Sequence, residues 1–229
     1  ATNSTNERFE TSPIRFIDVQ ANVLVIDERS SIMLPFYSLI QENINVRLED
    51  DYGTVIYNGY YTDLPPHHTF IVRFDVIAIP AVSNALKLTI STVTGSVTKN
   101  FRVFRNTLYS GKLIEFRNKF GFPVRVTLFG KLSSKDDFTV SSYETGLGAL
   151  KTAEVKEETT FTIETGYLTE KERGIISQIV NSLETKIKIA DEFVSCVPTV
   201  KSITTFTEGE FVTQNQLSFK INKNPKIKN

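Results

Sequence analysis

The side chains of this chain that are equipped for acid–base or nucleophilic chemistry are few, and their spacing does not assemble them. General acid–base catalysis calls on a group titrating near neutrality, most often histidine, held by an oriented partner. There are 2 histidines, His67 and His68, adjacent in the proline-stiffened stretch Leu64-Pro65-Pro66-His67-His68. Consecutive side chains on extended backbone point apart, so the pair does not converge on a metal ion without ligands from elsewhere. The single cysteine, Cys196, lies in the apolar run FVSCV, where a thiol behaves as a small inert hydrophobe. No GxSxG, HExxH or CxxC pattern is present. The acidic pairs Asp50-Asp51, Asp136-Asp137 and Glu157-Glu158 read as turn residues. A glycosidase needs two carboxylates brought together in space, and the chain has no tryptophan on which a sugar would stack. Gly146-Leu147-Gly148 lacks the strand-to-helix setting of a phosphate-binding loop. No catalytic, cofactor-binding or metal-binding residue is assigned, and the expectation is a protein that is not an enzyme.

Basic residues interleaved with aromatics occur twice, at Lys99, Arg102, Phe104 and Arg105 and at Arg117, Lys119, Phe120, Phe122 and Arg125. Single-strand nucleic-acid binders combine these residue types. The plainer reading is strand alternation, with phenylalanine turned inward and arginine outward. The 26 basic and 26 acidic residues cancel, so no overall field draws the chain to nucleic acid or to an anionic membrane. No apolar run is long enough for a membrane-spanning helix. One thiol fits folding in a reducing compartment, and an initiator methionine lost before Ala1 is a simpler reading of the N-terminus than a removed signal.

The elements that must position any site are mostly strands. Seventeen Phe, 8 Tyr and abundant Val, Ile and Thr favour pleated, half-buried surfaces. Residues 1–12 read as a polar flexible arm. IRFIDV and NVLVID, with turn residues Gln20 to Asn22 between them, suggest a meander-type hairpin, while Ser30 to Ile40, interrupted by Pro35, reads either as an irregular edge strand or as a short helical turn. INVRLED and TVIYNGYY around Asp51-Tyr52-Gly53 make a hairpin with Val46 and Leu48 on one side and Arg47 and Glu49 on the other. TFIVRFDVIAI, LKLTISTV and SVTKNFRVF complete about seven strands, a sandwich or small barrel.

After a polar joint at Asn106 to Gly111, LIEFRN and VRVTLFG form a hairpin that opens a second unit. FTVSSYET and TTFTIET follow, with Gly146 to Glu158 between them as a loop. Thr169-Glu170-Lys171-Glu172 is a capping box, and Ile175, Ile176, Ile179, Val180 and Leu183 fall on one helical stripe, predicting a helix over 169–183 packed on a sheet. KIKIAD, FVSCV, TVKSITTFTE and QLSFKIN supply the closing strands. The expected fold class is mainly β with one packed helix, in two domains: a β-sandwich over 13–106 and an α+β domain, an antiparallel sheet with the helix, over 107–221. Residues 222–229 form a basic tail.

IEFRNKFGFPVRVTLFGK, then Thr165-Gly166-Tyr167-Leu168-Thr169, the helix to Leu183, KIKIAD and the Pro198-Thr199-Val200 run resemble, over roughly Leu108 to Phe219, structural virion proteins of tailed bacteriophages of Bacteroides-like bacteria, crAss-like phages among them. The resemblance implies a neck, tail or baseplate subunit, made in the host cytoplasm and built into a ring with copies of itself and other virion proteins. It places the chain near DNA in a channel without sequence-specific binding, and away from membranes. Edge strands and terminal arms would make the contacts, and Arg117, Lys119, Phe120, Phe122 and Arg125 are the candidate assembly residues. The alternative is a surface carbohydrate-binding or adhesin-like sandwich with Tyr57, Tyr60 and Tyr61 as an aromatic platform.

Overall fold

Alternating apolar residues pair into sheets, and the described residues of the first half of the chain form eight strands. The computed structural model describes residues 14–16, 23–26, 31–74, 79–105, 111–189, 192–200, 202–204 and 212–222. Strands β1 (Ile14–Phe16), β3 (Ile32–Ser38) and β6 (His68–Phe74) form one sheet in the order β1-β3-β6. Strands β2 (Val23–Ile26), β4 (Glu42–Asp50), β5 (Val55–Leu64), β7 (Ala85–Ser91) and β8 (Ser96–Val103) form the other, in the order β2-β8-β7-β4-β5, with β2 parallel to β8. The sheets meet through Tyr57 and Phe74, whose rings lie edge to face 5.0 Å apart. With β1 and β2 dividing one edge between the two sheets, this is the strand order of an immunoglobulin-like sandwich.

The β4–β5 hairpin forms as its alternation predicts. Its turn is fastened by the buried Asp50 carboxylate, which accepts from the amides of Tyr52 (3.0 Å) and Thr54 (2.7 Å) and from the Ser83 hydroxyl (2.9 Å). Burial pushes this carboxyl up, and the hydrogen bonds from Thr54, Ser83 and Tyr52 outweigh it and hold it below the usual carboxylate range. The meander expected between the first two runs is not made: β1 pairs with β3, and β2 with β8 in the opposite sheet. The turn proposed at 20–22 lies outside the described residues. The stretch around Pro35 is neither an edge nor a helical turn but the central strand β3. Pro35 lies opposite Ile71 of β6.

The second half contributes β9 (Lys112–Arg117), β10 (Pro123–Leu128), β11 (Leu132–Glu144), β12 (Leu150–Glu164), β14 (Thr185–Ile189), β15 (Glu192–Pro198) and β17 (Gln216–Asn222), in the order β10-β9-β14-β15-β17-β12-β11. Every neighbouring pair is antiparallel. A two-stranded piece, β13 (Leu168–Thr169) with β16 (Val212–Thr213), sits beside helix α1 (Glu170–Val180). The described part of TVKSITTFTE, residues 199–200 and 202–204, is not strand. Segments 1–12 and 223–229 lie outside the described residues, as does nearly all of the expected joint at 106–111.

The β9–β10 turn is built by Asn118, whose side-chain oxygen accepts from the amides of Phe120 and Phe122, each at 3.0 Å, while Gly121 takes φ +84°. The helix starts where its cap predicts, with the Thr169 amide donating to the Glu172 carboxylate at 2.8 Å. It ends earlier than the apolar stripe suggests. Asn181 bonds the Ser177 carbonyl through both its amide (3.1 Å) and its side chain (2.8 Å), and the Ser182 hydroxyl turns to the Glu184 carbonyl (2.7 Å). The amide bond is the last i→i−4 bond of the helix, and the two side-chain bonds offer the backbone an alternative to continuing it. Leu183 is left in solvent, and the buried stripe is Ile175, Ile176 and Ile179.

The two halves share a continuous apolar core running from Leu24 to Ile221. Strand β10 packs on β2 and β3, and the Phe104 and Phe129 rings meet at 4.7 Å. Glu172, 2% exposed, binds Arg102 of β8 through two hydrogen bonds of 2.7 and 3.1 Å, and Arg125 of β10 donates to Ser31 at 2.8 Å. Glu172→Ala removes the reach to the cap and the partner of Arg102 together, so it should cost roughly 2–3 kcal/mol in a urea titration, and Arg102→Ala should cost at least as much, because it leaves the Glu172 carboxylate buried without its charge partner. Because folding depresses the Asp50 carboxyl, its contribution is present above the usual carboxylate pKa and is lost as pH falls through the folded value. Melting curves at decreasing pH should therefore show the native chain losing more stability than Asp50→Asn across that window.

Candidate assembly site

A strand is held by the neighbours it pairs with, and β12 changes neighbours halfway along. From Glu158 to Glu164 it lies between β17 and β11; from Leu150 to Glu157 its partner among the described strands is β11. The outer halves of β11 and β12 therefore form a two-stranded arm. At about 3.4 Å per residue the 13 residues of β11 span roughly 44 Å. The tip is short. Residues 145–149 reverse the chain with Gly148 donating to the Thr145 carbonyl (2.8 Å) and Thr145 to that of Ala149 (2.9 Å). The loop expected over Gly146 to Glu158 is thus mostly strand. Its small and charged residues lack a buried face to alternate against, which is why they read as loop.

The register sorts the arm into two faces. Phe138 lies opposite Glu157, Val140 opposite Val155, Ser142 opposite Thr152 and Glu144 opposite Leu150. Thr139, Ser141 and Tyr143 lie opposite Lys156, Glu154 and Lys151 on the other face. The irregularity at Ser141/Ser142 shifts the pairing by one residue and keeps the faces in phase. Followed inward, the first face becomes that of Leu132 and Ile163, and Ile163 is fully buried in the core. The core-facing side of the sheet thus continues into solvent with Phe138 62%, Val140 58%, Val155 50% and Leu150 76% exposed among Ser142, Glu144, Thr152 and Glu157, and with Leu147 98% exposed at the tip. An exposed, partly apolar face of this kind marks an interaction surface.

The residues singled out in the β9–β10 hairpin are divided by the fold. Arg117 is paired with Glu184 at 2.5 Å and donates to the Gly121 carbonyl at 2.9 Å, and Lys119 stands 5.0 Å over the exposed Phe120 ring. The hydrogen bond from Arg117, then that from Lys186, holds the Glu184 carboxyl below the usual range. Arg117 and Lys119 also border a cavity of about 420 Å³ against Ser177, Gln178 and Asn181 of the helix end. Phe122 is half-buried beside them. Arg125 lies elsewhere, 9% exposed, between Glu115 (2.9 Å) and Ser31 with its guanidinium 4.9 Å over Phe193. The other basic run is also engaged internally, Arg102 with Glu172 and Arg105 with the carbonyls of Pro80 (2.7 Å) and Ser83 (2.8 Å).

Asp136 and Asp137 stand in β11 and Glu157 and Glu158 in β12, not in turns. Thr159 bonds Asp136 at 2.6 Å, Lys135 pairs with Asp137 at 2.6 Å, and Lys220 with Glu158 at 2.6 Å. The two histidines diverge. His67 Nδ1 lies 3.4 Å from the Tyr37 hydroxyl, and His68 Nδ1 lies 2.6 Å from the Pro66 carbonyl. Among the described residues no group of three metal-ligating side chains comes together. Tyr57 and Tyr61 share one face of β5, hydroxyl to hydroxyl at 2.6 Å, beside an apolar cleft of about 280 Å³ between β5 and β6, while Tyr60 points the other way. They do not make one platform.

No family model matches this chain, and neither the curated proteins nor the solved structures contain a significant match to it.

Cys196 is buried, donates to the Thr185 carbonyl at 3.5 Å, and is pushed up to about 12 by burial. A disulfide reagent at mildly alkaline pH should leave the native thiol unmodified for hours and titrate one thiol in urea. Limited proteolysis of the dilute chain should cut at 145–149 before the other described turns.

Proposed function

We propose that this chain is a non-enzymatic structural subunit of a phage virion, a ring component of the neck, tail or baseplate. The observation that carries the reading is the β11–β12 arm, which carries Phe138, Val140, Val155 and Leu150 exposed on the face that continues the core. An isolated two-stranded ribbon is marginal in water, and an arm of this length becomes stable when other subunits cover it. The likeness of IEFRNKFGFPVRVTLFGK to virion proteins supports the choice of assembly. The Asn118-centred turn presents Lys119 and Phe120 outward as a second contact. Closed rings of identical subunits require heterologous contacts between different patches, and the arm and this hairpin are two such patches.

Negative-stain microscopy with sedimentation velocity tests the reading. The purified chain should form discrete rings as its concentration rises, and mass spectrometry should find it in purified virions. A chain that stays monomeric at the highest attainable concentration and is missing from the particles would end the proposal.

A further inference from the structure

Resting on that assembly reading, we infer that the tip of the arm, with Leu147, Leu150 and Glu144, seats in the cavity between the β9–β10 turn and the helix end of a second copy. The tip is a preformed knob. The Gly148 amide donates to the Thr145 carbonyl (2.8 Å), the Thr145 hydroxyl accepts from the Ala149 amide (3.2 Å), and Gly148 takes φ +77°. This is a three-residue hairpin turn closed by a left-handed glycine, and Asn118 to Gly121 repeat it with the Gly121 amide on the Asn118 carbonyl. Leu147 thus has the place in one turn that the exposed Phe120 has in the other. Glu144 and Leu150 lie opposite each other behind it, on one face of the arm. A knob fixed by its own turn loses little freedom on docking.

The cavity suits it in size and in charge. A void of about 150 Å³ holds a benzene-sized group, so the 420 Å³ against Ser177, Gln178 and Asn181 has room for Leu147 with part of Leu150. Leu183 stands fully exposed in the cavity wall, and the stems of Lys119 and Gln178 add apolar surface. Arg117 is committed to Glu184, whereas Lys119 is exposed at the rim with its ammonium over the Phe120 ring. Docking the knob brings the exposed Glu144 carboxylate to that ammonium.

The sheet keeps the two parts of one chain apart. In the order β10-β9-β14-β15-β17-β12-β11, five strand spacings separate β9 from β11, roughly 24 Å. Every neighbouring pair is antiparallel, so β9 and β11 run oppositely, and the turn that follows β9 and the tip that follows β11 lie at diagonal corners of the sheet. The tip therefore reaches this cavity only on another copy. Each copy gives one knob and receives one, a head-to-tail contact that closes into a ring when the rotation allows.

Sedimentation velocity of the full chain tests the contact. Leu147→Lys changes only an exposed turn residue, so it should leave the melting curve native and weaken association at least tenfold. Glu144→Lys and Lys119→Glu should each weaken association severalfold, and the two reversals in one chain should restore it. Mixed Leu147→Cys and Leu183→Cys chains should form disulfide dimers in excess of Leu147→Cys mixed with Val93→Cys, a residue of like exposure in the sandwich. Rings that persist in Leu147→Lys, with no excess of that disulfide, would overturn the knob contact and leave the assembly reading standing. A double reversal that fails to restore association would overturn the pairing of Glu144 with Lys119. A native chain that never associates would overturn the contact and the assembly reading together.

Discussion

The carboxylate of Glu172 is where three parts of this protein are tied together. It caps the helix through the Thr169 amide, it takes two hydrogen bonds from Arg102 on the sandwich, and it does both from a position closed to water. A buried carboxylate is costly unless its partners are all in place. The helix start, the β8 strand and the seam between the halves are therefore mutually conditional. The apolar core crosses the same seam, with Leu24 and Phe101 on one side and Val126 and Ile175 on the other belonging to one cluster. Two units that differ in topology are thus held in one packing arrangement by a shared core and by charge pairs such as Arg102–Glu172.

That fixed body makes the arm intelligible. Seven strands enter the second sheet, yet two of them outrun all the others. Near the body each position of β12 is flanked on both sides, and side chains such as Ile163 are buried. Farther out the same alternation continues on exposed residues. The chain keeps placing apolar residues on that face after its own core has run out.

Much of the fold was legible from periodicity and turn chemistry. The β4–β5 and β9–β10 hairpins, the Thr169 cap and the mainly β class with one packed helix follow from local signals, because Asp50, Asn118 and Glu172 bond the backbone within a few residues of themselves. What local patterns do not contain is the choice of a distant partner. The assignment of β1 to one sheet and β2 to the other depends on strands dozens of residues away, as does the tolerance of Pro35 in a central strand. The arm was hidden for a different reason. Its alternation is diluted by Lys151, Glu154 and Lys156 and interrupted by the shift at Ser141/Ser142, so its charged outer residues read as loop. The candidate charges were legible as outward-facing, but the burial of Arg125 against Ser31 spans the two halves, a contact that neither half reveals alone.

Strand β12 is a single run of backbone from the tip of the arm to Glu164 in the body. Its inner 7 residues are bonded along their length to β17 in antiparallel register. A pull along the arm is therefore resisted in shear, with those rungs loaded together, whereas a pull across it would peel them one at a time. The arm is mechanically a tie rod, stiffest along its own axis and anchored in the strands of Phe161, Leu217 and Phe219 that form the core.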